Sequence, residues 1–275
     1  MLPSTSEDPE LLVGGWKEVS LVDVLEKASF TLWLALCNLK CPWCSNTNLA
    51  KGITARAVKV SEIVETVKGA KPFIDVFHVT GGEPTLQMKP LELLFRRVSE
   101  ETGLPLSLDT NGTMPEALEE LVPLLYHVAI DVKAPLGDSA LYAKATGISE
   151  QLARRLVVRV RKSVEVAAKA PFLELRTTLV PDLVSCEDAV KAAAELEWVV
   201  EKGGRVVYVV QQFIPYEGVR GDYAKRKATP SEEVKACAER IYSRLRYKEV
   251  YYRTLEEGAK PVRPHPAFHG SGRPI

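Results

Sequence analysis

Residues 30–46 read FTLWLALCNLKCPWCSN. The mostly apolar run Phe30–Leu36 has the composition of a buried strand. It breaks into Cys37, Cys41 and Cys44, spaced C-x3-C-x2-C. A loop this short brings three thiolates to one metal centre. Two chemistries fit. One is a structural zinc whose fourth ligand is a distant His, Cys186 or Cys237. The other is an iron–sulfur cluster with one iron left open to a further molecule. Five cysteines, three of them within eight residues, make a poor disulfide framework. Cys186 and Cys237 stand alone in helical contexts and read as small buried apolar residues, so one cluster is expected.

Outward from this loop, apolar runs alternate with amphipathic stretches. Strands are predicted at 73–80, 104–109, 127–132, 172–180 and 205–213, with a short one at 250–253. Helices are predicted at 61–68, capped by Ser61, and at 91–101, 115–121, 149–168, 186–202 and 231–245. Strand and helix alternate about six times, the pattern of parallel strands joined by crossover helices in an open sheet or a barrel. Residues 1–18 read as a lead, 19–253 as one α/β domain and 254–275 as an extended surface tail carrying His265 and His269.

Several strand ends carry polar groups. Strand 73–80 runs into Gly81-Gly82-Glu83-Pro84, and the next ends in Asp109-Thr110-Asn111-Gly112. In the strand ending Ala129-Ile130-Asp131-Val132-Lys133, alternation turns Ala129, Asp131 and Lys133 to one face and the valines to the other. Glu174 and Arg176 likewise share a face, and 205–213 ends in Gln211-Gln212-Phe213. Ligands of parallel α/β folds gather at the carboxyl ends of strands, where these groups lie. The bland alternatives are internal ion pairs, Asp131 with Lys133 and Glu174 with Arg176. His78 reads as an interior histidine.

The chain holds 36 basic and 36 acidic side chains, 46% hydrophobic residues and 26% charged ones. That is a globular composition. Zero net charge speaks against a bulk electrostatic grip on nucleic acid or membrane. No apolar run nears the roughly 18 residues of a membrane span, and the acidic N-terminus is unlike a secretory signal, so a cytoplasmic location is expected. Asn and Gln total eight, a scarcity that leans toward a hot-living source.

The cysteine loop at 37–46 and the Thr80-Gly81-Gly82-Glu83-Pro84 turn, in this order and on these elements, resemble the two hallmarks of radical S-adenosylmethionine (SAM) enzymes. The resemblance implies a partial (β/α)6 TIM-type barrel and a [4Fe–4S] cluster on Cys37, Cys41 and Cys44. It also implies SAM on the fourth iron and hydrogen abstraction by a 5′-deoxyadenosyl radical, with no catalytic side chain beyond the cofactor ligands. The DTNG and AIDVKAP segments, Gln211-Gln212-Phe213-Ile214-Pro215 and 141–147 are similar to those of glycyl-radical enzyme activating enzymes, which act on pyruvate formate-lyase or anaerobic ribonucleotide reductase. The partners implied are a glycyl-radical enzyme and a flavodoxin- or ferredoxin-type electron donor.

By the same resemblance, the backbone of Gly81, Gly82 and Glu83 meets the SAM amino group. Asn111, Lys133, Arg176 and Gln211 lie near SAM. Trp43 either packs near the adenine or anchors its loop. Asp109, Thr110, the Ala129 carbonyl and Asp131 correspond to a K⁺ or Na⁺ site. The family usually has Gly before the first cysteine, where this chain has Leu36. A radical SAM enzyme acting on a small molecule, a nucleobase precursor or another peptide is the alternative.

Overall fold

The computed structural model describes residues 8–263. Ten strands form one sheet: β1 (Glu10–Ser20), β2 (Ser29–Leu34), β3 (Arg56–Lys59), β4 (Val76–Gly81), β5 (Leu106–Thr110), β6 (His127–Asp131), β7 (Phe172–Leu179), β8 (Arg205–Gln212), β9 (Glu249–Thr254) and β10 (Gly258–Pro261). Their order is β10-β9-β8-β7-β6-β5-β4-β2-β1-β3, with β10 and β3 as free ends. The strands from β2 to β9 within this series are parallel neighbours. Chain order and spatial order agree there, so each crossover helix lands on the same face and the sheet curls into an open, partial barrel.

The crossovers follow the sequence pattern. Helix Val60–Ala70 buries Val60, Ile63, Val64, Val67 and Ala70, the i, i+3, i+4 stripe that packs on the sheet. Helices Met88–Thr102, Pro115–Leu121, Glu150–Ala167, Cys186–Leu196 and Ser231–Arg244 make the later crossovers. Ser149 caps its helix through the Leu152 N–H, and Ser185 forms a capping box with Asp188.

Five features differ from the sequence reading. The lead enters the sheet from Glu10: β1 buries Leu11 and Val13 and pairs with both β2 and β3. The β1–β2 pairing shifts register at Gly14-Gly15, and a side chain at Gly14 would strike Leu49. Ser61 lies inside its helix, giving its N–H and hydroxyl to Asp8 rather than capping. A helix at Ser139–Thr146, capped by Asp138 and ended by Gly147 at φ 67°, shows little amphipathic patterning to announce it. Finally, Cys186 and Cys237 form a disulfide, Cα atoms 5.4 Å apart, tying together the helices that cover β7 and β8. They are 51 residues apart in sequence, and only the packing of two crossover helices makes them neighbours. The predicted tail contributes β10, antiparallel to β9; His265 and His269 lie outside the described residues.

The main core lies between sheet and helices. A second cluster of Leu25, Phe172, Val207, Val209 and Tyr251 fills the floor of the barrel. The 21–28 segment crosses that floor: Thr31 Oγ1 donates to Asp23 at 2.8 Å, while Arg205 and Tyr251 donate to the Glu26 carboxylate. It thus braces the two sides of an open barrel. Among the described residues no helix is long and apolar enough to cross a membrane.

Candidate active site

At the carboxyl ends of the strands a cavity of about 620 Å³ opens, the size of a small-ligand site. Cys37, Cys41 and Cys44 all line it, as do Trp43, Gly81 and Gly82, the ends of β5 and β6, and Gln211 and Arg253 from the far side. All three cysteines are free. Burial pushes the Cys41 thiol up to about 12 and raises that of Cys37. Such thiols ionise only when a cation pays the desolvation, as metal ligation does. Around Cys37 the donors are already set: the Leu39 N–H is 3.4 Å and Asn111 Nδ2 is 3.8 Å from its sulfur. N–H groups aimed at sulfur are what a thiolate-held cluster uses to tune its charge. The donor set therefore fits an iron–sulfur cluster.

The cysteine loop is held by the GGEP turn. The Gly82 N–H donates to the Leu34 carbonyl at 2.8 Å and the Glu83 N–H to that of Leu36 at 2.7 Å. A Cβ on Gly82 would stand 2.1 Å from the Leu36 oxygen, and one on Gly81 2.1 Å from that of Leu34. The glycines are thus required by the approach of turn to loop as well as by any ligand, and the N–H groups of Gly82 and Glu83 are spent there. What the turn retains for an amino group is carbonyl oxygen. Leu36 takes φ 72°, the left-handed region, which accounts for the family's glycine at this place.

Glu83 is fully buried, and its carboxylate accepts from the Thr85 N–H and hydroxyl, from Thr110 Oγ1 at 2.8 Å and from the Asn111 N–H at 2.7 Å. Burial nonetheless raises its pKa. Asn111 continues the chain of bonds: its amide donates to Asn38 Oδ1 at 2.9 Å and accepts from Thr113, to which Asn38 also donates. Glu83 and Asn111 are thus the struts joining β4, β5 and the cysteine loop. Asn38 was not singled out in the sequence, although its place inside the cysteine loop was a signal.

Asp109 and Asp131 meet in one pocket as expected, but a guanidinium lies between them. Arg176 Nη2 is 2.7 Å from Asp109 and its Nε 3.1 Å from Asp131. Lys133 reaches Asp131 at 2.8 Å and sits 5.0 Å over the Trp43 ring. Burial opposes ionisation of both aspartates, yet Arg176 holds Asp109, and Lys133 with Arg176 holds Asp131, below the usual carboxylate range. Of the groups expected around K⁺ or Na⁺, Asp109, Thr110 and Asp131 line the cavity. Successive strand residues point to opposite faces, so while Asp109 turns inward Thr110 turns to Glu83. Ala129 is fully buried between its ladder partners Asp109 and Glu174. Glu174 and Arg176 lie 3.7 Å apart, as the ion-pair alternative had it. Trp43 both lines the cavity and anchors its loop, donating from Nε1 to Ala145 at 2.9 Å. His78 is interior, 2.8 Å from Ser107, whose hydroxyl also meets His127.

Residues 34–183, just over half of the chain, match the Radical SAM superfamily. The chain belongs to the radical SAM superfamily. Its members use a [4Fe–4S] cluster and SAM, and this chain is a radical enzyme of the oxidoreductase type. A Methanocaldococcus jannaschii protein provisionally named a glycyl-radical enzyme activating enzyme is 31% identical over 82% of this chain and 89% of its own length. The 7-carboxy-7-deazaguanine synthase of Hyperthermus butylicus is 40% identical, but over 42% of this chain and 51% of the synthase. Among solved structures, the maturase HydG of Carboxydothermus hydrogenoformans superposes with a TM-score of 0.61 at 14% identity, covering 82% of this chain and 53% of its own. Streptococcus suis SuiB gives 0.59 at 16%, covering 80% and 47%. At such identities the superpositions establish the barrel alone.

Proposed function

We infer that this radical SAM enzyme is an activating enzyme, abstracting a hydrogen atom from a glycine of a partner glycyl-radical enzyme. The observation that carries this reading is the match to the M. jannaschii protein, which runs through nearly the whole of both chains rather than through the cluster loop alone. Cys37, Cys41 and Cys44 hold the cluster. The carbonyls of the Gly81–Gly82 turn, with Lys133 and the Asp109–Arg176–Asp131 array, position SAM, and Trp43 walls the site. When bound, cluster and SAM supply reductive cleavage to methionine and a hydrogen-abstracting 5′-deoxyadenosyl radical. The chain's own groups orient the ligand and keep water from the reacting atoms. A glycine Cα–H suits abstraction because flanking amides stabilise the radical left behind. The electron comes from a flavodoxin- or ferredoxin-type donor.

The partial match to deazaguanine synthases favours one second reading, a small-molecule substrate. The test is anaerobic incubation of the reconstituted enzyme with SAM, reductant and each glycyl-radical enzyme encoded in the source genome. A glycyl radical seen by electron paramagnetic resonance, formed with one 5′-deoxyadenosine per radical, is the expected result. No radical on any partner, with 7-carboxy-7-deazaguanine formed in a parallel incubation supplied with the synthases' own substrate, would decide for the second reading.

A further inference from the structure

The barrel interior is layered. Register places Thr178, Gln211 and Arg253 side by side on β7, β8 and β9, one row above Arg176, Val209 and Tyr251. All three members of the upper row line the cavity, on the wall built by the last strands of the barrel. Their hydrogen bonding is incomplete. Thr178 donates to Gln211 Oε1 at 3.3 Å, which leaves the Gln211 amide N–H groups with no acceptor among the described residues. Arg253 touches Glu174 at 3.4 Å through Nη2, and its buried Nε has no acceptor. The half-buried Gln211 amide faces the cavity, and the buried Arg253 Nε is a donor whose cost a ligand's acceptor would relieve.

The charge around the cavity narrows what that ligand is. Asp23, Asp109 and Asp131 line it, with Glu174 behind; Lys133 and Arg253 line it, with Arg176 behind. Four carboxylates face three cations, and each cation already has a carboxylate partner. On the Gln211–Arg253 row itself the one cation, Arg253, already faces Glu174, so the row offers no free charge to an anionic substrate. Neutral carbonyl oxygens, by contrast, complete the Gln211 and Arg253 donors without adding charge.

We propose that the Gln211–Arg253 row reads the substrate, and that it takes the backbone carbonyls of a neutral extended peptide rather than a carboxylate. This rests on the glycine-abstracting reading and names the chemistry by which that substrate is held. It also separates the two readings above, since the product of the deazaguanine synthases carries a carboxylate.

The test uses the anaerobically reconstituted full chain with SAM and dithionite. The probes are N-acetyl-Ala-Gly-Ala amide, dideuterated at glycine, and the same peptide with a free C-terminal carboxylate. Deuterium reaching 5′-deoxyadenosine is followed by mass spectrometry. The amide is expected to transfer deuterium at least about tenfold more efficiently than the acid. Arg253→Met and Gln211→Met should each raise the half-saturating amide concentration about tenfold, one lost hydrogen bond, with the plateau rate kept. Arg253→Lys should recover part of the loss. Equal use of the acid overturns the neutral-substrate claim, and unchanged half-saturation in both variants overturns the role of the row. Deuterium from neither peptide in the wild type, while 5′-deoxyadenosine still forms, overturns the glycine reading itself and this inference with it.

Discussion

At the residue scale, chemistry is divided between groups meant for cofactors and groups meant for each other. Cys41→Ala removes one of three ligands from a short loop and is expected to abolish iron binding and SAM cleavage. Cys186→Ala, on the remote disulfide, should leave iron content unchanged. Iron and acid-labile sulfide assays on the two variants check this, and full iron in Cys41→Ala would refute the ligation. Arg176 is the countercharge of the site, 4% exposed and within 3.7 Å of three carboxylates. Asp109, Asp131 and Glu174 all titrate below their usual range in the folded protein. A carboxyl depressed in this way contributes stability that is complete above its unfolded pKa, about 4, and is lost as pH falls through that value toward the folded one. Arg176→Met takes the guanidinium from Asp109 and leaves Asp131 with Lys133 alone and Glu174 with Arg253. It is expected to destabilise the protein by about 3–5 kcal/mol near neutrality and to reverse part of the acid dependence, because the carboxyls then gain by protonation. Urea unfolding of both proteins at pH 7 and pH 4 measures it; a larger deficit at pH 4 would contradict the assignment.

At the scale of elements, the site depends on two loops in backbone contact. The GGEP turn and the cysteine loop share hydrogen bonds from Gly82 and Glu83, and no room remains for a Cβ at Gly82. Gly82→Val is therefore expected to do more than obstruct SAM. It should displace the Leu36 carbonyl, lower the iron content after reconstitution, and destabilise the chain by about 2 kcal/mol or more, as overpacking does. Full iron with only SAM affinity lost, read by calorimetry, would show instead that the turn acts on the ligand alone. Glu83 and Asn111 couple the same elements through side chains, so the motif's acid works as a buried strut rather than as an exposed base.

At the scale of the whole molecule, the open barrel is fastened at its floor by the 21–28 segment and on its outer layer by the disulfide. Cross-linking residues 51 apart removes chain entropy from the unfolded state worth about 2–4 kcal/mol. Cys237→Ala should lower stability by about that amount without loss of iron. Thiol titration of the denatured, non-reduced apoprotein should count three free thiols in the wild type; five would refute the link.

What the sequence determined by itself is most of what is local. The cysteine spacing, the glycine turn and the alternation of strand with amphipathic helix depend on residues a few positions apart, and composition and periodicity report such relations directly. The order of the motifs along the chain was enough for the superfamily and the barrel. Only the tertiary structure decided which distant groups meet. It put Arg176 between Asp109 and Asp131 and turned the Thr110 hydroxyl to Glu83. It made β1 a strand of the sheet, joined Cys186 to Cys237, and set Gln211 beside Arg253. Each of these rests on register between strands or contact between helices tens of residues apart, and such energies are settled by packing, which no pattern along one segment contains.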